Sequence, residues 1–184
     1  MLINYSKLHP NAKTPVFNPM ENAGVDLFPV ETVKTYREYK SQENTPFGTI
    51  QYPQTSVYGG SVPVVVTKKE PLNIFYVDTG LAFDFPVGLH SFVAGRGGNA
   101  FKKHIIPFYG VVDSSYRGEV KVMLHNHNLI ETEISPDVAI AQLVFFSYNK
   151  DIDISQITFK EVAFEELSKT SRNDKAFGSS GSIS

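Results

Sequence analysis

The sequence predicts an all-β fold, and two observations support this prediction. Short runs of apolar and β-branched residues recur between turns rich in Pro, Gly, Asn and Asp, a pattern typical of a β-sandwich or barrel. Only one segment, 162–167, has the pattern of a helical turn. The predicted strands cover residues 62–67, 74–77, 81–85, 91–94, 120–124, 128–134 and 140–147.

The individual strands are predicted from their composition and from the alternation of apolar and polar residues. Residues 62–67 read Val-Pro-Val-Val-Val-Thr, and β-branched side chains favour a pleated backbone. Residues 81–85 read Leu-Ala-Phe-Asp-Phe, which predicts a half-buried strand with alternating faces. The Pro-Val-Gly at 86–88 then predicts a turn. The apolar run at 140–147 suits a strand that lies in the core.

Composition narrows the class of protein. A chain of 184 residues that is 41% hydrophobic can bury the core of one domain, with or without an insertion. Its formal net charge of −2 gives no reason to expect nucleic acid or a membrane surface as a partner. It has no cysteine, and residues 1–19 lack the apolar core of a signal peptide. We therefore expect a cytoplasmic protein without disulfides or thiolate metal sites.

The segment 110–119, Gly-Val-Val-Asp-Ser-Ser-Tyr-Arg-Gly-Glu, carries the clearest candidate for chemistry. The valines favour a strand and the next residues favour a reversal, so we expect Asp113 where a buried strand meets a turn. A carboxylate that is desolvated and oriented at such a place suits a general base. Taken alone, an aspartate that merely caps a turn is the more ordinary interpretation.

The C-terminal segment 171–181, Ser-Arg-Asn-Asp-Lys-Ala-Phe-Gly-Ser-Ser-Gly, has no apolar periodicity. Arg172 can neutralise phosphate charge, and the ring of Phe177 can stack on a base. The glycines and hydroxyls after it can surround phosphate oxygens. By composition alone, the segment is also typical of a flexible Gly/Ser-rich terminus.

These two segments resemble motifs of the trimeric dUTPase family, and three more extend the resemblance over nearly the whole chain. The five family motifs occur in order, as Ala-Gly-Val-Asp-Leu at 23–27, an altered Pro-Arg-Ser-Gly at 95–98, Gly-Val-Val-Asp-Ser-Ser-Tyr-Arg-Gly at 110–118, Ile-Ala-Gln-Leu at 140–143, and Arg172 followed by Phe-Gly-Ser-Ser-Gly at 177–181. Any one of these is a weak signal, but five in the family order are specific.

The resemblance implies a jelly-roll or β-clip protomer, assembled as a homotrimer with active sites at the subunit interfaces. It implies a dUTPase-like domain at 1–170 and a flexible arm at 171–184. It implies hydrolysis of dUTP to dUMP and pyrophosphate by a water that Asp113 activates, which lowers dUTP and supplies dUMP for thymidylate synthesis. Mg²⁺ is expected on the substrate phosphates and water rather than on protein ligands. The altered motifs are typical of a divergent lineage, such as a viral one, whose enzyme would lie in the host-cell cytoplasm.

The resemblance also assigns the site residues. Asp113 is the expected base, and Asp26 is expected to order the surroundings of the catalytic centre. Tyr116 would pack under the deoxyribose and leave no room for a 2′-hydroxyl. The residues expected to contact substrate are Arg96, Gly97, Gly98, Val111, Val112, Tyr116, Lys121, Gln142, Arg172, Phe177, Gly178, Ser179 and Ser180. Within this set, 96–98 would bind phosphates from a neighbouring subunit, and the last five would form a closing flap.

Several positions depart from the family pattern. Gly97 stands where the family has a serine, so one hydroxyl contact to phosphate is missing. Residues 137–139 read Asp-Val-Ala instead of Gly-Asp-Arg, which predicts different bracing between subunits. The segment 104–110, expected to read uracil, is shorter than the family hairpin and contains Pro107, which lacks a backbone donor. An insertion at about 33–61 is expected to form either a structural arm at the trimer edge or a site for a protein partner.

Other classes of function stay open at this stage. A dCTP deaminase would share the fold, but it uses a glutamate base and an Arg-Ser-Ser-like segment that 96–98 does not supply. A nucleotide-sensing regulatory protein would use the insertion to bind its partner. His125 and His127 lie on one face of a predicted strand and could begin a zinc site, although hydrogen-bonded histidines are the commoner explanation.

Overall fold

The computed structural model describes residues 1–45 and 62–175, and within these ranges the fold is all-β, as predicted. The strands are β1 Leu2–Lys7, β2 Gly24–Leu27, β3 Val33–Lys34, β4 Tyr36–Thr45, β5 Val62–Pro71, β6 Ile74–Asp78, β7 Leu81–Asp84, β8 Leu89–Ala94, β9 Ile105–Pro107, β10 Val111–Val112, β11 Lys121–Asn126, β12 Glu133–Ile134, β13 Ala141–Ser147 and β14 Thr158–Glu161. One α-helix, α1, spans Gly97–Lys103, and two 3-10 helices span Ile154–Gln156 and Phe164–Glu166. None of the helices in the described ranges has the length and apolar character needed to cross a membrane.

The strands form three main sheets, with the orders β10-β8-β13-β2, β14-β1-β7 and β6-β11-β9. Two further pairs are β12-β3 and β4-β5. Most neighbours in a sheet are distant in sequence and antiparallel, and among the strands of residues 1–45 and 62–175 only β1 and β14 run parallel to each other. This crossing of the chain between packed sheets is the jelly-roll arrangement that the family resemblance implies, whereas the strand pattern predicted only an all-β fold.

The core lies between the sheets and is dominated by aromatic and branched side chains. Phe83 stacks on Phe85 at 5.3 Å between ring centroids, and Phe145 meets Phe85 edge to face at 5.8 Å. On β8, Leu89, Ser91 and Val93 are buried, while the residues between them face the other side of the sheet. Complete burial of each large apolar side chain stabilises the fold by about 1.5–3 kcal/mol relative to exposure.

Six of the seven predicted strands are found, and the prediction for 128–134 is wrong except at Glu133–Ile134. The buried side chain of Asn126 explains the difference. Its Nδ2 donates to the carbonyl of Ile130 at 3.0 Å, and its Oδ1 accepts from the N–H of Ile130 at 3.1 Å. The chain therefore closes a turn, in which Leu129 has the left-handed φ of 50°.

Two other local predictions are corrected. The strand at 81–85 does not alternate, because Ala82 is buried together with Leu81 and Phe83 and both faces of β7 pack in the core. The helical turn in 162–167 is present as a 3-10 helix, but it is not the only one. Helix α1 was not predicted, because glycine at its first two positions has low helix propensity and hides the signal.

The expected insertion contains a long two-stranded ribbon. β4 and β5 pair antiparallel from Tyr36–Pro71 to Thr45–Val62, and residues 46–61 lie outside the described ranges. At its base, the Tyr36 hydroxyl donates to Oε1 of Glu133 at 2.6 Å. The paired region extends ten residues beyond the predicted end of the insertion, and the domain limits at 170 and 171 stay a prediction.

Candidate active site

Asp113 lies directly after β10, as the sequence predicts. Val112 pairs with Ser91 on β8, and the N–H of Tyr116 donates to the carbonyl of Asp113 at 3.0 Å, which closes the turn. In the single chain, 43% of the Asp113 side chain is exposed at the end of this short strand, so its own fold leaves the carboxylate partly in water. Water can therefore reach the carboxylate directly.

The carboxylate is held by Arg172. Nη1 of Arg172 forms an ion pair with Oδ2 of Asp113, and only 25% of the arginine side chain is exposed. The guanidinium also lies over the ring of Tyr116, 5.4 Å from its centroid, at a distance that permits a cation–π interaction. One cation from the C-terminal segment thus contacts two residues of the predicted catalytic motif.

The ring of Tyr116 is fixed by its immediate neighbours. Its hydroxyl donates to the carbonyl of Glu119 at 3.0 Å. A Cβ at Gly118 would lie 2.5 Å from that hydroxyl, so only glycine leaves room for the ring. Burial raises the pKa of the Tyr116 hydroxyl, and the nearby Arg172 opposes this shift. Tyr116 is therefore neutral at physiological pH and can offer an uncharged ring face.

A cavity of about 120 Å³ opens beside these residues. It is lined mainly by apolar side chains, with polar groups at its edge, and its lining residues are Val93, Gly110, Val111, Val112, Tyr116, Glu119, Val120, Lys121 and Arg172. The size and apolar walls suit a flat ring. Lys121 forms ion pairs with Asp78 at 2.6 Å and Glu119 at 3.2 Å, and its hydrogen bond to Asp78 is the main cause that raises its pKa.

A buried arginine that the sequence analysis missed organises the turn. Arg117 is 5% exposed and pairs with Asp84 at 2.6 Å. Its Nη1 donates to the carbonyl of Ser114 at 2.7 Å, and its Nη2 donates to the hydroxyl of Ser168 at 2.8 Å. Burial lowers the pKa of the Arg117 guanidinium, and Asp84 opposes that shift. The only sequence signals were an Arg next to Tyr116 and an Asp within an apolar strand.

The start of the C-terminal arm is docked onto the same turn. The hydroxyl of Thr170 donates to the carbonyl of Ser115 at 2.5 Å, and the N–H of Arg117 donates to the carbonyl of Asn173 at 2.7 Å. Asn173 has the left-handed φ of 47°, which turns the chain back and places Arg172 over the cavity. Phe177, Gly178, Ser179 and Ser180 lie outside the described residues, so their predicted role as a flap stays a prediction.

A second cluster forms at the other end of β8. Arg96 follows that strand and forms an ion pair with Asp26 on β2. Nε2 of Gln142 on β13 donates to the carbonyl of Gly95 at 3.0 Å. A Cβ at Gly24 would lie 2.2 Å from the carbonyl oxygen of Leu143, so glycine lets β2 approach β13 closely enough to bring Asp26 to Arg96.

Gly97 and Gly98 form the first turn of α1, where backbone N–H groups have no acceptor within a helix. Neither position needs glycine for steric reasons. A Cβ at Gly97 would meet only Phe101, at 3.9 Å, and a Cβ at Gly98 would meet nothing within 4 Å.

The two clusters do not meet within one chain. Asp113 lies beside His90, whereas Arg96 lies six residues further along the chain, past the end of β8. At about 3.3 Å per residue along a strand, the two positions are on the order of 20 Å apart. The fold therefore divides the predicted site residues into a base-and-cavity cluster and an arginine–glutamine cluster.

The predicted histidine pair does not form a metal centre in the described part of the chain. The rings of His125 and His127 are 4.1 Å apart between centroids. Within residues 1–45 and 62–175, however, no group of three or more His, Cys, Asp or Glu side chains could hold a metal ion.

The fold and the two clusters define an all-β protein whose polar site consists of a water-accessible carboxylate and an arginine beside an apolar cavity. The model of the dUTPase family matches residues 46–181. The chain therefore belongs to the dUTPase family.

Individual relatives agree with this membership. The deoxyuridine 5′-triphosphate nucleotidohydrolase of Debaryomyces hansenii is 32% identical over 154 residues, which cover 82% of this chain and 90% of the relative. The Candida albicans protein of the same name is 42% identical over 106 residues, or 57% of this chain and 62% of the relative. A solved dUTPase mutant from phage phi11 of S. aureus shares the fold, with a TM-score of 0.52, 18% identity, and coverage of 82% of this chain and 94% of that one.

Proposed function

We propose that the chain hydrolyses dUTP to dUMP and pyrophosphate, which lowers dUTP and supplies dUMP. One observation carries the proposal within this family. Arg172 contacts both Asp113 and Tyr116, and Tyr116 and Arg172 line a cavity, so a carboxylate, a ring and a cation lie together beside it. The relatives from Candida albicans and Debaryomyces hansenii are named for the same substrate, deoxyuridine 5′-triphosphate.

Asp113 is the proposed general base. A water molecule attacks the α-phosphorus, and Asp113 takes one proton from that water as the new oxygen–phosphorus bond forms. The bond from the α-phosphorus to the bridging oxygen breaks, and pyrophosphate leaves with the bonding electrons. The 43% exposure of the carboxylate supports this role, because the attacking water must reach it from solvent.

The cavity is the proposed site of the base and sugar. Val111 and Val112 border the base, and Lys121 lies at the rim, where Asp78 and Glu119 hold it. Tyr116 packs under the deoxyribose and excludes a 2′-hydroxyl. Arg172 exchanges its contact with Asp113 for a phosphate oxygen, which leaves the carboxylate free to act on water.

The residues proposed to bind the phosphates are Arg96, Gly97, Gly98 and Gln142. Asp26 orients Arg96. Because a separation on the order of 20 Å keeps this cluster away from Asp113 in its own chain, we assign it to the site of a neighbouring copy. The active protein is then a homotrimer with interfacial sites. The partial exposure of Phe92 and Phe146 on one face of the sheet supports such packing, because interfaces are enriched in aromatic side chains.

Phe177, Gly178, Ser179 and Ser180 complete the proposal as a flap that closes over the bound nucleotide. Mg²⁺ fits this site as a companion of the triphosphate. The carboxylates of Asp113, Glu119 and Asp26 lie in the two clusters, but each is paired with a cation, so phosphate oxygens and water would supply most ligands of Mg²⁺. When bound, the ion neutralises phosphate charge. The phi11 enzyme is described with a structural Mg(II) ion.

The ribbon of β4 and β5 is proposed as an arm at the edge of the assembly, and binding of a protein partner there is its alternative role. The test is co-purification of partners with the full chain and with a variant in which residues 41–66 are replaced by a short turn. The partner role would be favoured if the full chain captures a protein that the shortened variant does not, and if that protein used as bait captures the full chain in turn.

The proposed activity is tested by pyrophosphate release from dUTP, dCTP, dTTP and UTP with Mg²⁺. Selective hydrolysis of dUTP is the expected result. Equal rates with dUTP and UTP would contradict the role of Tyr116, and equal rates with the three deoxynucleotides would contradict uracil selection by the short 104–110 segment. Ammonia release from dCTP without pyrophosphate release would replace the proposal with a deaminase.

A further inference from the structure

His90 on β8 lies next to the proposed base. Its Nδ1 is 3.8 Å from Oδ1 of Asp113, while Arg172 contacts the other carboxylate oxygen. The two oxygens of the carboxylate therefore face two different nitrogen-containing groups. Nothing in the sequence pointed to this contact, because His90 and Asp113 are brought together only by the pairing of β8 with β10.

The imidazole of His90 is held in one orientation. Its ring stacks on Phe146 at 5.5 Å and 23°, and the ring of Tyr148 meets it at 6.1 Å and 61°. Its side chain is 24% exposed. The N–H of Ser114 points at Nδ1 from 3.4 Å, which requires a lone pair on Nδ1 and puts the proton of the neutral ring on Nε2.

We propose that His90 is a positioning residue for Asp113 and that protonation of His90 switches the base off. The proposal rests on the proposed function of Asp113. In the neutral state, Nδ1 accepts from the N–H of Ser114, and Oδ1 of Asp113 is free to take a proton from water. In the protonated state, Nδ1 carries a hydrogen and donates it to Oδ1, which occupies that oxygen and makes the carboxylate a weaker base.

The charged and titratable groups around the ring favour this assignment. Asp113 faces His90 from the turn after β10, and Tyr148 faces it from the end of β13. Arg172 reaches Asp113 from the C-terminal segment and withdraws to phosphate in the proposed reaction. Among the described residues around the ring, the Asp113 carboxylate is therefore the group that accepts a hydrogen bond from protonated His90.

The pH dependence of turnover follows from these two states. Because protonation of His90 occupies Oδ1 of Asp113, turnover should fall as the pH is lowered, and the midpoint of that fall should depend on the imidazole. The variant His90→Phe keeps a ring that can stack on Phe146 but removes the nitrogen. Its acid midpoint, measured relative to its own alkaline plateau, should move down by about one pH unit or more.

The matched control is His127→Phe, which removes an exposed histidine elsewhere and should keep the wild-type midpoint. Thermal melting at each pH shows that the variants remain folded over the range used. An acid midpoint in His90→Phe equal to that of the wild type would overturn the proposal. A purely structural role would lower turnover at all pH values and leave the midpoint in place.

A second measurement does not depend on turnover. NMR titration of the ligand-free protein follows the ring Cε1–H signal of His90 in the wild type, in Asp113→Asn and in the control Asp137→Asn. The midpoint should move to lower pH by about one unit in Asp113→Asn, because the opposite charge is lost, and should stay in Asp137→Asn. Equal midpoints in all three proteins would overturn the contact. If the His90 midpoint shifts in Asp113→Asn but the wild type does not hydrolyse dUTP, the contact is supported and only the proposed function is rejected.

Discussion

Gly97 shows how a single residue separates this chain from the pattern of its family. The family resemblance implies a serine there, and its replacement by glycine removes one expected hydroxyl donor to phosphate. The backbone nevertheless has room for a side chain, since the nearest atom to an added Cβ is Phe101 Cδ2 at 3.9 Å. The loss is therefore chemical rather than steric, and it can be reversed.

The variant Gly97→Ser should lower the KM for dUTP or raise kcat/KM by about fivefold, because one neutral hydrogen bond contributes about 1 kcal/mol. Its melting temperature should stay the same or rise slightly, since serine has a higher helix propensity than glycine. Steady-state kinetics of Gly97→Ser are compared with those of Gly98→Ser, a control one residue further along α1. A gain in Gly97→Ser alone would show that the effect depends on position 97. A loss of activity in Gly97→Ser would show that the site needs the close backbone approach that glycine allows.

Among the strands, β14 is attached to its neighbour β1 by charged and polar side chains as well as by backbone hydrogen bonds. It pairs in parallel with β1, and the hydroxyl of Tyr5 donates to Oε2 of Glu161 at 2.9 Å. Lys7 pairs with the same oxygen at 3.2 Å. The hydrogen bond from Tyr5, and then that from Lys7, hold the pKa of the Glu161 carboxyl below its usual value of 4.5. This strand leads to the arm that carries Arg172.

The variant Glu161→Gln should destabilise the fold in a pH-dependent manner. A carboxyl whose pKa is lowered in the folded state adds stability above its unfolded pKa and loses it as the pH falls through the folded pKa. Glu161→Gln should therefore melt at a lower temperature than the wild type at pH 7, and the difference should shrink at an acidic pH well below 4.5. A constant difference at both pH values would contradict the electrostatic attachment. Glu165→Gln is an exposed control nearby.

The elements also show what the sequence could predict. Strands such as β5 and β13 were predictable from runs of β-branched and apolar residues, and the turn at Asp113 followed from a motif. The turn at 126–130 was not, because it depends on the hydrogen bonds of a buried Asn126, and the helix α1 was not, because it begins with two glycines of low helix propensity. The contacts of Arg117 and His90 arise from strand pairing, which one sequence does not contain.

At the scale of the whole molecule, the arm links the end of the chain to the site. Its described part, 171–175, is docked on the turn of Asp113 through Arg172 and Asn173, and Thr170 just before it adds a further contact. The rest carries the predicted flap. The core described for the body, from Ile3 to Ile157, is built from residues that precede the flap, so we expect function and stability to separate on truncation.

Truncation after Lys175 should lower kcat/KM for dUTP by about 10²-fold while the melting temperature and oligomeric state stay unchanged, because the flap positions substrate without supporting the core. Truncation after Ser171 also removes Arg172 and should be more severe. Circular dichroism and light scattering check the fold and the assembly. Wild-type kinetics after the first truncation would contradict the flap.

The division of the site between two copies is tested most directly by mixing two inactive variants. Asp113→Asn lacks the base and Arg96→Ala lacks the phosphate cluster, and each homotrimer alone should be inactive. If a site takes Asp113 from one copy and Arg96 from the next, every mixed trimer contains one intact site. Random reassembly of equal amounts should then restore about a quarter of the wild-type dUTP turnover. Turnover that stays at the level of the separate variants, although native mass spectrometry shows mixed trimers, would contradict an interfacial site.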